Sequence, residues 1–273
     1  LIIFDCLFND LGANQMKPNR PPSIFEEMTL CQALGKKKLA VLIDPDGIDP
    51  KNLYAITEQL KLPGIGYIFI GGSFIQKDRL EKCLLYLKEN TDLPLILFPG
   101  HYFQVNSLAD GILFLSLISG RNPEFLIGQQ VIAAPYIKAS GLESMATAYL
   151  LIDGGKPNTA TYMSNTTPIP ADKPGIAANT AMAGEMLGLK LCYLDAGSGA
   201  KNPVSGEMIK QVRSLISGPL IVGGGVRSAE QVSLHFNAGA DIVVVGNVLE
   251  ENPSLLREMA SVCSSKIIVR QKV

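Results

Sequence analysis

At 273 residues, 47% hydrophobic and 18% charged, the chain can bury one large core, and barrels of alternating strands and helices run about 250 residues as a single unit. Its 24 basic and 25 acidic residues leave a net charge of −1, which excludes a broad nucleic-acid face and requires any anion to be caught locally. Five cysteines without a C-x-x-C pair exclude a disulfide framework and a zinc site and fit a reducing, cytoplasmic setting.

Residues 1–35 are expected to form an extension outside the folded domain. Gly12 to Pro22 is rich in Asn, Pro and Gly without an apolar period, and Leu1 to Leu7 lacks the basic flank of a signal peptide. The stretch reads as a tail, either a functional arm or a translated upstream segment, with Met16 and Met28 as later starts. From Lys36 onward, short apolar runs alternate with longer helical stretches, the rhythm of a parallel sheet. Eight strands are predicted: Leu39–Asp44, Tyr67–Ile70, Leu95–Phe98, Ile112–Leu117, Ala148–Asp153, Leu191–Asp195, Leu220–Val222 and Ile242–Val245. Each is continuously apolar, as strands buried on both faces should be, and far too short to cross a membrane.

Helices are predicted at Pro50–Leu60, Lys77–Glu89, Pro123–Ile137, Ala177–Leu187, Ser205–Ile216, Ala229–Ala238 and Pro253–Val262. Gly100 to Asp110 has room for only one or two turns, so the third crossover should be short or irregular. The expected fold over 36–273 is therefore an α/β protein, a (β/α)8 TIM barrel. A doubly wound open sheet is the alternative, but its glycine fingerprint belongs after the first strand, and here the glycine-rich turns come last.

Those turns carry the chemistry. Asp195-Ala196-Gly197-Ser198-Gly199, Gly223-Gly224-Gly225 and Gly246-Asn247 follow the last three strands. Such loops converge on one phosphate at the C-terminal face of a barrel, where backbone N–H groups and a short helix N-terminus approach it closely. Taken singly each is equally an ordinary tight turn. Asp44 opens Asp44-Pro45-Asp46-Gly47 at the end of the first strand, where a carboxylate suits magnesium bridging to substrate phosphates, or caps the following helix. Ser73, in Gly71-Gly72-Ser73, ends the second strand and either joins the same cation or closes a turn.

Tyr193 and Asp195 lie two apart on the sixth strand and so share a face; a carboxylate beside a phenol there can orient and deprotonate a substrate hydroxyl. Arg121, in Ser119-Gly120-Arg121-Asn122-Pro123, either suits a second anion, since a guanidinium pairs two oxygens at once, or is a solvated cap. His101 and His235 read as a turn residue and an inert helical residue, and Lys138 and Lys156 receive no role.

Over Lys36 to Val262 the chain resembles the geranylgeranylglyceryl phosphate synthase family, in particular its second group. The motifs are LAVLIDPDG at Leu39–Gly47, IFIGGS at Ile68–Ser73, LISGRNPEFLIGQ at Leu117–Gln129, YLDAGSGA at Tyr193–Ala200, IVGGGVRS at Ile221–Ser228 and VVVGN at Val243–Asn247. The resemblance implies a TIM-barrel, magnesium-dependent prenyltransferase of ether-lipid synthesis. It would join sn-glycerol 1-phosphate to a polyprenyl diphosphate, geranylgeranyl by the family's name, and release pyrophosphate. It implies Mg²⁺ at Asp44 and Ser73. Glycerol phosphate would lie on Tyr193, Leu194, Asp195, Ala196, Gly197, Ser198 and Gly199, then on Gly224, Gly225, Gly246 and Asn247. It also implies a homo-oligomer. The family often has glutamate where this chain has Asp195, shortening the reach of the acid by one methylene, so that a bridging water is one route to the hydroxyl. Rival readings are a flavin oxidoreductase or indole-glycerol-phosphate synthase type of barrel, and a non-catalytic binder of phospholipid precursors.

Overall fold

The computed structural model describes residues 21–74 and 79–264. A first helix, α1 (Ile24–Ala33), is followed by β1 (Lys38–Ile43), α2 (Pro50–Thr57), β2 (Ile65–Ile70), α3 (Leu80–Asn90), β3 (Leu95–Leu97) and β4 (Gly111–Leu117). Then come α4 (Gln129–Ser140), β5 (Glu143–Leu151), α5 (Thr159–Ser164), α6 (Pro174–Met186), β6 (Leu191–Asp195) and α7 (Gly206–Leu215). The fold ends with β7 (Leu220–Gly223), α8 (Ala229–Ala238), β8 (Ile242–Val245), α9 (Asn247–Glu251) and α10 (Leu255–Ser264).

The strands pair in parallel in chain order and close between β1 and β8, where Ala40 sits opposite Val244. This is the expected TIM barrel, and closure removes the open sheet as an alternative. Side chains alternate across each strand. Tyr67, Phe69, Leu113, Tyr149, Tyr193 and Val244 fill the interior, while Val41, Ile68, Leu194, Val222 and Val243 face the helical layer. Among the described residues no helix is long and apolar enough to cross a membrane.

The third crossover is as short as expected: a single 3₁₀ turn, Tyr102–Gln104, stands in for a helix. Buried Gln104 does the connecting work there, accepting the Gly100 N–H and donating to the Gly72 carbonyl, both at 3.0 Å. The fourth crossover opens with a π-turn, Glu124–Gly128, before α4. Two short helices were not anticipated: α5, begun by Asn158 accepting the Thr161 N–H at 2.9 Å, and α9, which starts at Asn247. Lys77, the expected start of the third-strand-side helix, lies outside the described residues.

The expected extension over 1–35 needs correction in its last third. Residues 1–20 lie outside the described residues, but α1 belongs to the domain. Ser23 and Glu26 form a reciprocal capping box. Glu143, at the start of β5, accepts the N–H groups of Ile24 and Phe25 at 2.7 and 2.9 Å, satisfying donors that a helix start leaves open. Met28, 1% exposed, joins the interior cluster. The helix thus plugs the N-terminal end of the barrel, opposite the loops described next.

Candidate active site

All eight strands point their C-terminal ends at one cavity of about 610 Å³. Its lining divides by chemistry. Residues from β3 to β5 and the segments after them, such as Phe98, Leu115, Leu117, Phe125 and Ile137, give an apolar half. The loops after β6, β7 and β8 give a polar half with Ser198, Gly199, Gly224, Gly225, Gly246 and Asn247.

The polar half is tightly joined. Ser198 donates to the Asn247 side-chain oxygen at 3.0 Å, linking the β6 loop to the start of α9. Gly224 has φ +84° and lies so near the β6 loop that a Cβ would stand 2.6 Å from the Gly197 nitrogen, so only glycine fits. Two cations that the sequence reading left aside also line the cavity: Lys156, after β5, and Arg227, after β7. Arg227 donates to the Ala200 carbonyl at 2.6 Å and reaches those of Lys201 and Gly225 at 3.3 and 3.4 Å, so it clasps the two glycine-rich loops together. Lys156 carries no local signal in sequence, and Arg227 lies within the IVGGGVRS motif, but the contacts of each appear only when strands far apart in the chain meet.

Tyr193 and Asp195 both face the cavity, as their spacing predicts. Asp195 is 7% exposed; it accepts the Gly197 N–H on Oδ1 at 2.7 Å and the Tyr149 hydroxyl on Oδ2 at 2.6 Å. Burial raises its carboxyl above the ordinary value, against the lowering by those two donors. Tyr193 stacks on Phe98 with ring centroids 5.2 Å apart, and Tyr149 meets both rings edge-on. Burial pushes both phenols up from their usual value.

The remaining assignments divide. Leu194 and Ala196 are buried in the helical layer rather than in the cavity wall, because alternation along the strand turns them outward; only their backbone faces the loop. Gly197 acts through its N–H on Asp195. The structure does not bring Arg121 to the cradle: it is exposed, outside the cavity lining, and its Nη1 donates to the Ile118 and Gly120 carbonyls at 3.2 and 2.8 Å, as the capping alternative expects.

Asp44 and Ser73 line the cavity on the β1 and β2 side. Asp44 Oδ1 accepts the Asp46 N–H at 3.0 Å and so closes an Asx turn, but it does not cap α2; that cap is Asp49, which accepts the Lys51 N–H at 2.8 Å. Asp44 Oδ2 points to Gly72, where a Cβ would stand 2.9 Å from it. Burial raises the Asp44 carboxyl, and Glu250 on α9 is raised by burial and by the charge of Asp44. Asp44, Glu250 and the Ser73 hydroxyl on one cavity wall are a donor set that fits a hard cation keeping its own waters. Among the described residues no group of three His, Cys, Asp or Glu forms an all-protein metal cage.

The model of the PcrB family matches residues 32–263. The geranylgeranylglyceryl phosphate synthase of Chitinophaga pinensis is 52% identical over 229 residues, 84% of this chain and 91% of that protein. The protein of the same name from Spirosoma linguale is 47% identical over 228 residues, 84% and 92% of the two chains. A crystal structure of (S)-3-O-geranylgeranylglyceryl phosphate synthase from Thermoplasma acidophilum, in complex with its substrate sn-glycerol-1-phosphate, superposes with a TM-score of 0.83 at 30% identity. It covers 89% of this chain and 99% of that one. The barrel, the cradle and these matches agree, and the chain belongs to the PcrB family.

Proposed function

We propose that this protein is a prenyltransferase that forms an ether between sn-glycerol 1-phosphate and a polyprenyl diphosphate, releasing pyrophosphate. The observation that carries the reading is the division of one cavity into a glycine-rich polar cradle on the last three strands and an apolar half on β3 to β5, with Asp195 lining the same cavity. The name shared by its relatives favours this chemistry, and a geranylgeranyl chain, over the flavin or indole-type barrels.

In this reading Ser198, Gly199, Gly224, Gly225, Gly246 and Asn247 hold the phosphate, with Lys156 at the same rim, and the prenyl chain lies along Leu115, Leu117 and Phe125. Holding the glycerol hydroxyl near the reacting carbon contributes about 7–11 kcal/mol to such a reaction. The allylic carbon needs no protein nucleophile, and Asp195 is the base that receives the hydroxyl proton. Asp44 and Ser73 would hold Mg²⁺, whose chemistry is to neutralise the charge gathering on the departing pyrophosphate. A homo-oligomer is supported by the exposed apolar side chains of Ile127, Val131, Ile132 and Tyr136 on and before α4. A cytoplasmic setting is supported by the free thiols of Cys31, Cys83, Cys192 and Cys263.

The test offers labelled glycerol 1-phosphate with prenyl diphosphates of increasing length, with and without Mg²⁺, and identifies the product by mass. An ether product with stoichiometric pyrophosphate is expected. Binding of both compounds without pyrophosphate release would establish the non-catalytic binder instead.

A further inference from the structure

Asp195 does not present an open carboxylate to the cavity. On one side Oδ1 holds the Gly197 N–H at 2.7 Å, and Gly224 passes so near that a Cβ there would lie 2.6 Å from that oxygen. On the other side Oδ2 is covered by the Tyr149 hydroxyl at 2.6 Å, the length of a short hydrogen bond to a charged acceptor. Tyr149 stands on β5, one strand nearer the apolar half than Asp195, with Tyr149 opposite Tyr193 and Leu151 opposite Asp195 in the register. Its ring is held edge-on against Phe98 at 5.7 Å and Tyr193 at 5.5 Å, so its hydroxyl is fixed in place. In the function proposed above, a glycerol unit with its phosphate on the β6 to β8 loops would turn its far hydroxyl toward the prenyl chain in the apolar half, and on that side of Asp195 stands Tyr149.

Resting on the function proposed above, we infer that Tyr149 is a catalytic residue that relays the substrate proton to Asp195. As the glycerol oxygen bonds to C1 of the prenyl chain, its proton passes to Tyr149 Oη and the phenolic proton passes to Asp195 Oδ2. The C1–oxygen bond to the diphosphate breaks, and its electron pair leaves with pyrophosphate. Tyr149 begins and ends neutral, and the proton rests on Asp195. No free phenolate forms, which suits a phenol that burial holds above its usual value. The raised Asp195 carboxyl is correspondingly a better final acceptor.

The test is single-turnover ether formation by wild type and by Tyr149→Phe, with glycerol 1-phosphate affinity measured separately by calorimetry. Loss of one positioned proton-transfer group predicts a fall of about 100-fold in the Tyr149→Phe rate, with affinity changed less than about twofold. Adding Asp195→Glu to that variant lengthens the acid by one methylene and should recover about tenfold of the loss. In mixed H₂O and D₂O the wild-type rate should curve with deuterium content, as two protons in flight require. A linear dependence in wild type, full activity of Tyr149→Phe, or affinity lost in step with the rate would overturn the relay. The isotope measurement needs no variant and so stands even if Tyr149→Phe misfolds. A wild-type protein that makes no ether at all would refute the proposed function rather than the relay.

Discussion

The Ser198 hydroxyl donates to the Asn247 side-chain oxygen across 3.0 Å, joining the loop after β6 to the start of α9. The hydroxyl has a single proton, so binding an anion means turning that proton from Asn247 to the phosphate while the oxygen is already in place. Ser198→Ala should therefore raise KM for glycerol 1-phosphate about tenfold, the order of one hydrogen bond to a charged group, with kcat within about twofold. Steady-state kinetics at saturating prenyl diphosphate checks this, and a matching fall in kcat would place Ser198 in the chemical step instead.

Gly224 and Gly141 make a matched pair. Both have positive φ, +84° and +76°, but a Cβ on Gly224 would lie 2.6 Å from Asp195 Oδ1, whereas one on Gly141 meets nothing within 4 Å. Gly141→Ala should cost about 1 kcal/mol of stability through backbone strain alone and leave activity unchanged. Gly224→Ala should lower kcat/KM by more than about 100-fold, because the β6 loop and Asp195 must move to admit it. Urea titration and kinetics on the two variants separate strain from displacement.

Burial raises the Asp195 carboxyl, and the Tyr149 and Gly197 donors oppose that rise. A base works in its deprotonated form, so activity should fall as pH drops through a pKa above the ordinary carboxylate value. Removing the Tyr149 donor should move this acid limb to higher pH, and Asp195→Asn should lose turnover at every pH while keeping glycerol 1-phosphate affinity. The log kcat/KM profile of each variant gives the answer; a limb that moves down in Tyr149→Phe would refute this assignment of the titrating group.

Asp44→Asn should raise the Mg²⁺ concentration needed for half-maximal turnover about tenfold or more, since one charged ligand of a cation that takes few protein ligands is gone. Glycerol 1-phosphate binding should be unaffected, because the cradle lies on β6 to β8. Excess chelator should stop wild-type turnover and added Mg²⁺ restore it. Turnover indifferent to chelation would remove the metal from the reaction.

His235, 3% exposed in α8, has its pKa pushed down to about 4 by burial, opposed by a hydrogen bond to the Val204 backbone. An unfolded chain takes up this proton near pH 6.5, the folded one only near 4, so the unfolded state binds more protons in between. Stability should accordingly fall as pH drops from about 6.5 to about 4, by no more than about 3 kcal/mol from this group. Urea unfolding between pH 7 and 4.5 should show a shallower pH dependence for His235→Leu than for wild type.

The strands were legible where they are apolar runs bounded by turn residues, and β6 and β8 coincide with their expected spans, whereas β5 begins at Glu143, five residues before its expected start, because its first residues are polar. Gly224, Gly246 and Asn247 were legible for a related reason, since glycine after a buried strand marks close backbone approach wherever it occurs. The same local character explains why Gly100 to Asp110 announced a missing helix. By contrast α1 gave no periodic signal: it meets the barrel end-on through Ile24, Phe25 and Met28, and the rest of the helix is half-buried or exposed. Arg121 has the right chemistry for an anion or a cap, and only the structure places it outside the cavity with Nη1 on the Ile118 and Gly120 carbonyls. Tyr149, Lys156 and Arg227 acquire their roles from neighbours 46 residues away in the case of Tyr149 and Asp195. Sequence by itself determines which segments can be buried and where the backbone can bend. Which polar groups face one another is decided when closure of the barrel brings distant strand ends to a common centre, and no local pattern encodes that distance.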